Sequence, residues 1–264
     1  MCVVILWKEG NMKKLLERGF LFSELVKRDF KKKYKNTYLG MIWSLLSPLL
    51  TLLVMNLVFS HFFGRGPHYI TYLFSGNIIF AFFSDSTTGG MESLLANSQI
   101  FTRVNVPKYL FLFSRNVSSL INFGLTLVVF FIFCIFDGIT FSFSFLLLIV
   151  PILCLVVFNL GVGLILSALY VFFRDTKYLW TIFCQLLMYM SAIFYQTDAL
   201  PDTIRGLFYV NPIYVYIRYF RVIVIDGALP SLELNVLAVG FALVFFAIGA
   251  FIYKRCNHKF LYFV

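Results

Sequence analysis

The chain has 264 residues, 61% of them hydrophobic and only 13% charged, with 34 Phe and 15 Tyr, whereas soluble domains are about a quarter charged. That leaves too little polar surface to coat a water-soluble globule, and it points to a polytopic membrane protein. The net charge of +10 does not indicate a nucleic-acid binder, because the basic residues sit in short segments between apolar runs, as membrane loops do.

The first element is FLFSELVKRDFKKKYK, residues 20–35. Phe22, Val26, Phe30 and Tyr34 recur every four residues with Leu21 and Leu25 beside them, and lysines fill the other face. This periodicity predicts an amphipathic helix in the membrane interface with its basic side toward anionic headgroups. It serves either as a surface anchor or as an element that also meets a cytoplasmic partner. A helix crossing the hydrocarbon needs about 20 mostly apolar residues. By that measure six spans are expected, at about 36–60, 69–91, 110–136, 148–173, 178–197 and 234–253. The 36 uncharged residues from Gly138 to Phe173 are read as an extracytoplasmic approach followed by one long helix. No cleavable signal peptide is read at the start, so the first span is expected to act as its own targeting signal.

Loop charges support this count, since basic residues favour the cytoplasmic side. With both termini inside, 18 of the 22 Lys and Arg are cytoplasmic, and only Arg65, Arg205, Arg218 and Arg221 lie outside. Two connections are more than loops. Residues 92–109 have room for a short helix and a break at Pro107. Residues 198–230 are too polar to span and too apolar for open water. Broken at Asn211-Pro212, they suit short re-entrant or interfacial helices. The expected fold is all-α and integral to the membrane, a single transmembrane domain over residues 1–264.

The sequence shows no active site. His61, His68 and His258 are dispersed, and the five cysteines form no CxxC, so neither set suggests a metal site. The chain has no GxxxxGK[ST], which excludes ATP hydrolysis by a P-loop of its own. Gly161 and Gly163 fall mid-span and suggest close helix packing. Asp85 is the one acid within a span and is read as a solvated helix end. The most informative polar pattern is on span five, where Tyr178, Thr181, Gln185, Tyr189, Ala192 and Gln196 share one helical face. A weaker stripe runs through Gly40, Ser44, Ser47 and Thr51 on span one. Lipid offers no partner to two glutamines in line, so the span-five stripe faces either another helix or a wet pathway.

The order of these pieces resembles type-2 ABC exporter permeases that move polysaccharides such as O-antigen, capsule and teichoic acid. LVKRDFKKKYKNTYLGMIWSLLSPLL, residues 25–50, is similar to the family's interfacial helix and first span, matched at Leu39-Gly40, Trp43 and Pro48. ANSQIFTRVNVPKYLFLFS, residues 96–114, resembles its coupling loop. FFRDTKYLW, residues 172–180, resembles the end of its fourth span, and LPDTIRGLFYVNPIYVYIRYFR, residues 200–221, its outer re-entrant helices. The resemblance implies a permease in the bacterial cytoplasmic membrane with both termini cytoplasmic. It would be a homodimer with two separate ABC ATPase subunits and a lipid-linked glycan as substrate, and it would not bind nucleic acid. The chain itself would bind no cofactor, with ATP and Mg held by the ATPase.

By the same resemblance, Asn97, Ile100, Phe101, Arg103, Pro107 and Lys108 form the ATPase-coupling loop, with Ile100 and Phe101 exposed for docking. Lys27, Arg28, Asp29 and Phe30 belong to the interfacial helix. Ser44, Ser47, Tyr178, Thr181, Gln185, Tyr189 and Gln196 are candidates to line the pathway, and Asn211 and Pro212 mark the outer re-entrant region. An exporter of a drug or small lipid on the same fold is the nearest alternative. An integral membrane enzyme of lipid or glycan metabolism is the alternative from another class.

Overall fold

A computed structural model describes residues 19–32, 38–59, 68–104, 106–197, 201–261 and 263. Tyr34 of the amphipathic stripe and His61 lie outside the described residues. Within these residues the chain is helical and contains no strand. Helix α1 covers residues 19–32, followed by α2 (Trp43–Phe59), α3 (Tyr69–Ala96), α4 (Ser98–Phe101) and α5 (Tyr109–Phe136). Then come α6 (Ile149–Phe172), α7 (Thr176–Met190), α8 (Asp202–Phe208), α9 (Pro212–Val224) and α10 (Leu232–Cys256). Among the described residues, three stretches are long and apolar enough to cross a membrane: α5, α6 with the turn that leads into it, and α10.

The bundle is built on α3, α5, α6 and α10. Helix α6 lies against α10 over most of its length, and the reason is Gly161. A Cβ there would sit 2.5 Å from the Phe245 carbonyl carbon and the Phe246 nitrogen, so the two backbones touch where a side chain would stand. Gly249 meets Gly161 from the other side. Helices α3 and α5 are joined by polar pairs as well as by Phe82 stacking on Phe123 at 4.6 Å. The buried Asn116 amide donates to Ser86 Oγ at 2.6 Å, a bond that lipid cannot replace.

Two cores hold these elements. The larger runs through α3, α5, α6, α9 and α10. The smaller gathers Leu25 of α1, Leu94, Phe101, Phe111, Leu112, Tyr253 and Phe260 at the end of the bundle that carries the basic residues Lys108, Arg115 and Lys254. At the opposite end His68 Nδ1 lies 2.9 Å from Asp137 Oδ2, and Thr71 Oγ1 donates to the same oxygen, tying the start of α3 to the end of α5.

Candidate functional site

Helix α7 presents most of the stripe read from the sequence. Tyr178 and Tyr189 are 70% and 62% exposed, Thr181 and Gln185 are exposed too, and only Trp180 and Cys184 are buried on this helix. The stripe is shorter than expected, because the helix stops at Met190 and residues 191–197 form an irregular turn. Ala192 sits there with φ 48°, fully buried, and Gln196 lies beyond the break, so neither continues the helical face.

The break has a specific cause that sequence reasoning missed. Arg221 on α9 is 2% exposed, and its guanidinium donates to the carbonyls of Ala192 at 2.9 Å, Ile193 at 3.2 Å and Tyr72 at 3.0 Å. It also donates to Ser75 Oγ at 3.3 Å and stacks on the Tyr72 ring at 3.4 Å. The carbonyls that α7 would have used internally are turned toward this charge instead. Gly76 leaves room for it, since a Cβ there would come within 2.7 Å of Arg221 Nη2. Asn211 secures the same corner. Its Oδ1 accepts from the Ile213 N–H, capping α9 ahead of Pro212, and its Nδ2 donates to Ser191 Oγ at 3.0 Å. Arg221, with Arg218 three residues before it, inside an otherwise apolar run is the available signal.

The span-one stripe belongs to a different surface. Ser44, Ser47 and Thr51 line a cavity of about 490 Å³ between α2, α3 and α5, together with Asn77, Asp85 and Asn122. Asp85 is therefore not at a helix end, but lines this cavity half-exposed. Helix α3 continues eleven residues past it to Ala96, and Ser119 Oγ donates to its Oδ2 at 2.8 Å. Within the SDSTTGG segment, Ser86 and Asp85 find polar partners on α5, in Asn116 and Ser119. Within one chain, Ser44 and Ser47 are thus not brought together with the α7 stripe.

The coupling-loop residues also divide. Asn97 is buried, and its Nδ2 donates to the Ser93 carbonyl at 2.7 Å, closing the end of α3. Phe101 is 5% exposed and packs against Phe111 at 6.2 Å, while Ile100 is half-buried in the same core. The expected exposure of this apolar pair is corrected by this packing. In a one-turn helix, Ile100 and Phe101 turn inward and leave Gln99, Thr102, Arg103 and Val104 exposed. Pro107 is half-buried. Lys108 Nζ donates to the Asn257 carbonyl at 2.8 Å and lies over the Phe101 and Phe260 rings, and burial pushes its pKa below the usual lysine range.

On α1, Lys27 is exposed and pairs with Glu24 at 2.9 Å, and Phe30 is half-buried. Asp29 is buried, takes Arg28 Nη2 at 2.7 Å, and accepts from Ser114 Oγ of α5 at 3.3 Å. The amphipathic helix is therefore fastened to the bundle by a carboxylate as well as by Leu25.

A helical bundle with an exposed polar face on α7, a polar cavity on a separate surface between α2, α3 and α5, and a basic connection at one end has the build of a membrane permease. The chain belongs to the ABC-2 type transporter family, which matches residues 21–225. It is also similar to two proteins of Klebsiella pneumoniae described as "O-antigen export system permease protein RfbA". One is 27% identical over 92% of this chain and 95% of the relative, the other 28% identical over 95% and 98%. A Myxococcus xanthus protein of the same description is 28% identical over 82% of this chain and 84% of its own length.

Proposed function

We propose that the chain is the membrane-spanning subunit of an ATP-driven exporter of a lipid-linked polysaccharide. It acts in the bacterial cytoplasmic membrane as a homodimer, with two separate ATPase subunits docked at the basic end, which is cytoplasmic together with both termini. The carrying observation is the row Tyr178, Thr181, Gln185 and Tyr189 exposed on α7. A single copy facing lipid would leave the Gln185 amide and the Tyr178 and Tyr189 hydroxyls without partners among the described residues, at a cost of several kcal/mol, whereas Thr181 Oγ1 already donates to the Lys177 carbonyl at 2.9 Å. Two copies placed with these faces toward each other would form a polar path, whose tyrosines offer apolar ring faces to passing sugars. The descriptions of the bacterial relatives support a glycan cargo.

The mechanism follows from the smaller core. ATP binding closes the partner ATPases against the exposed Thr102, Arg103 and Val104. Phe101 lies in one packed cluster with Leu25 of α1, Phe111 of α5 and Phe260 of the tail. Close-packed interiors transmit displacement rather than absorb it, so loop, interfacial helix and span three move as a unit and part the two copies along α2 and α7. The arrangement assigned to α8 and α9 is a re-entrant cap at the outer face, pinned by Asn211 and Arg221.

The test is a mild-detergent purification of the tagged chain from its native membranes, assayed for a co-purifying P-loop ATPase. Equal amounts of permease and ATPase are expected. A chain that purifies alone, with crosslinking as well, overturns the reading.

A further inference from the structure

On the export reading above, we infer that a cleft between α1, α3 and α5 is a binding site for the phosphorylated headgroup of a membrane lipid. The cleft has a volume of about 350 Å³ and is lined by Arg28, Lys32 and Arg115, by the carboxylates Asp29 and Glu92, and by the neutral Ser93 and Asn97. Its charges do not balance internally. Arg28 is taken by Asp29 at 2.7 Å, and Glu92 is taken by Lys177, 2.8 Å away. Arg115 and Lys32 line the same cleft and form no ion pair among the described residues.

Arg115 is the informative side chain. It is half-buried, with no hydrogen-bond or ion-pair partner among the described residues, and it lies flat over Gly89, where a Cβ would come within 2.5 Å of its Nε. A guanidinium whose stem is seated on a glycine and that has no carboxylate partner among the described residues is suited to the paired oxygens of a phosphate. At about 1.5 Å per residue it lies roughly 9 Å along α5 from Tyr109, a depth at which a cationic side chain reaches headgroups rather than open water. Lys32 approaches from the interfacial helix, which lies along the same surface. A lipid phosphate held here would have its chain in the membrane and its polar group beside the coupling loop, through Asn97.

The experiment uses the full chain in phosphatidylcholine nanodiscs, with tritiated farnesyl diphosphate as probe and scintillation proximity as readout. Saturable binding is expected, weakened about tenfold or more in Arg115→Gln, as for loss of a hydrogen-bonded charge, and largely kept in Arg115→Lys. Glu92→Gln removes a negative charge from the rim without touching the core, and it should tighten binding by about two- to fivefold. Phosphatidylglycerol in the disc separates the two sources of the headgroup. Competition by it identifies bulk anionic lipid, and no competition identifies a diphosphate carrier lipid; both support the site. Equal affinity for inorganic diphosphate would remove the lipid from the inference. Unchanged binding in Arg115→Gln, or none in wild type, would overturn it. Copurification of the ATPase is independent of this readout, so failure of the cleft and failure of the export reading are told apart.

Discussion

Arg221→Met is the sharpest test of how the outer corner is built. The change keeps an apolar stem of similar reach and removes the fork that serves the carbonyls of Tyr72, Ala192 and Ile193. Hydrogen bonds from a charged donor are worth about 1.5–3 kcal/mol each. Part of that sum is returned, because the variant no longer buries a charge. The expected net loss is about 2–4 kcal/mol. Lysine can reach only part of the fan with a single ammonium, so Arg221→Lys should lose about 1–2 kcal/mol. The assay is SDS-titrated unfolding of the purified chain in mixed micelles, followed by tryptophan fluorescence. Gly76→Ala supplies a cycle, because its Cβ would stand 2.7 Å from Arg221 Nη2. It should be costly in wild type and cheaper by about 1 kcal/mol in the Arg221→Met background. An Arg221→Met chain within about 1 kcal/mol of wild type, or strict additivity with Gly76→Ala, would refute the assignment of the break in α7 to this arginine.

Three further outcomes are expected. In a background stripped of native cysteines, Gln185→Cys should form an intermolecular disulfide in membranes, and a scan of α7 that yields none would remove the homodimer built on this face. Val104→Ser with Arg103→Ser should lower transport-linked ATP hydrolysis in the assembled complex without reducing yield. Phe101→Ser should instead destabilise the chain by about 2–4 kcal/mol by opening a cavity, and the reverse pattern would restore Phe101 as the docking residue. Gly161→Ala should cost about 1–3 kcal/mol, because the new methyl meets only the backbone of Phe245 and Phe246, which cannot rotate away. Gly163→Ala should be tolerated, since its nearest neighbour is the Leu112 Cδ1 methyl at 3.6 Å.

Hydropathy located the apolar helices because the depth of a segment in the bilayer is a property of its own residues. It does not report which side of a helix meets protein, since lipid and core are equally apolar. That is why α9, with eleven buried residues among thirteen, read only as an interfacial stretch, and why Phe101 was placed outward. Four residues of helix carry no periodicity from which to fix a rotation. Gly161 and Gly163 look alike in the sequence, and only the position of α10 separates a backbone contact from ordinary packing. The informative residues are the polar ones that lipid cannot satisfy, because each must find a partner and so records a neighbour. Asn116 records Ser86 across α3 and α5, Asp29 records Ser114 across α1 and α5, and Arg221 records the broken end of α7. Each was visible in the sequence as a polar residue in or beside an apolar run. What the sequence lacked was the partner, which lies 30, 85 and 29 residues away. The α7 stripe differs in kind, for the side chains of Tyr178, Gln185 and Tyr189 find no hydrogen-bond partner among the described residues. Its tyrosines and glutamine remain exposed, and that polarity is what the proposed second copy or substrate would meet.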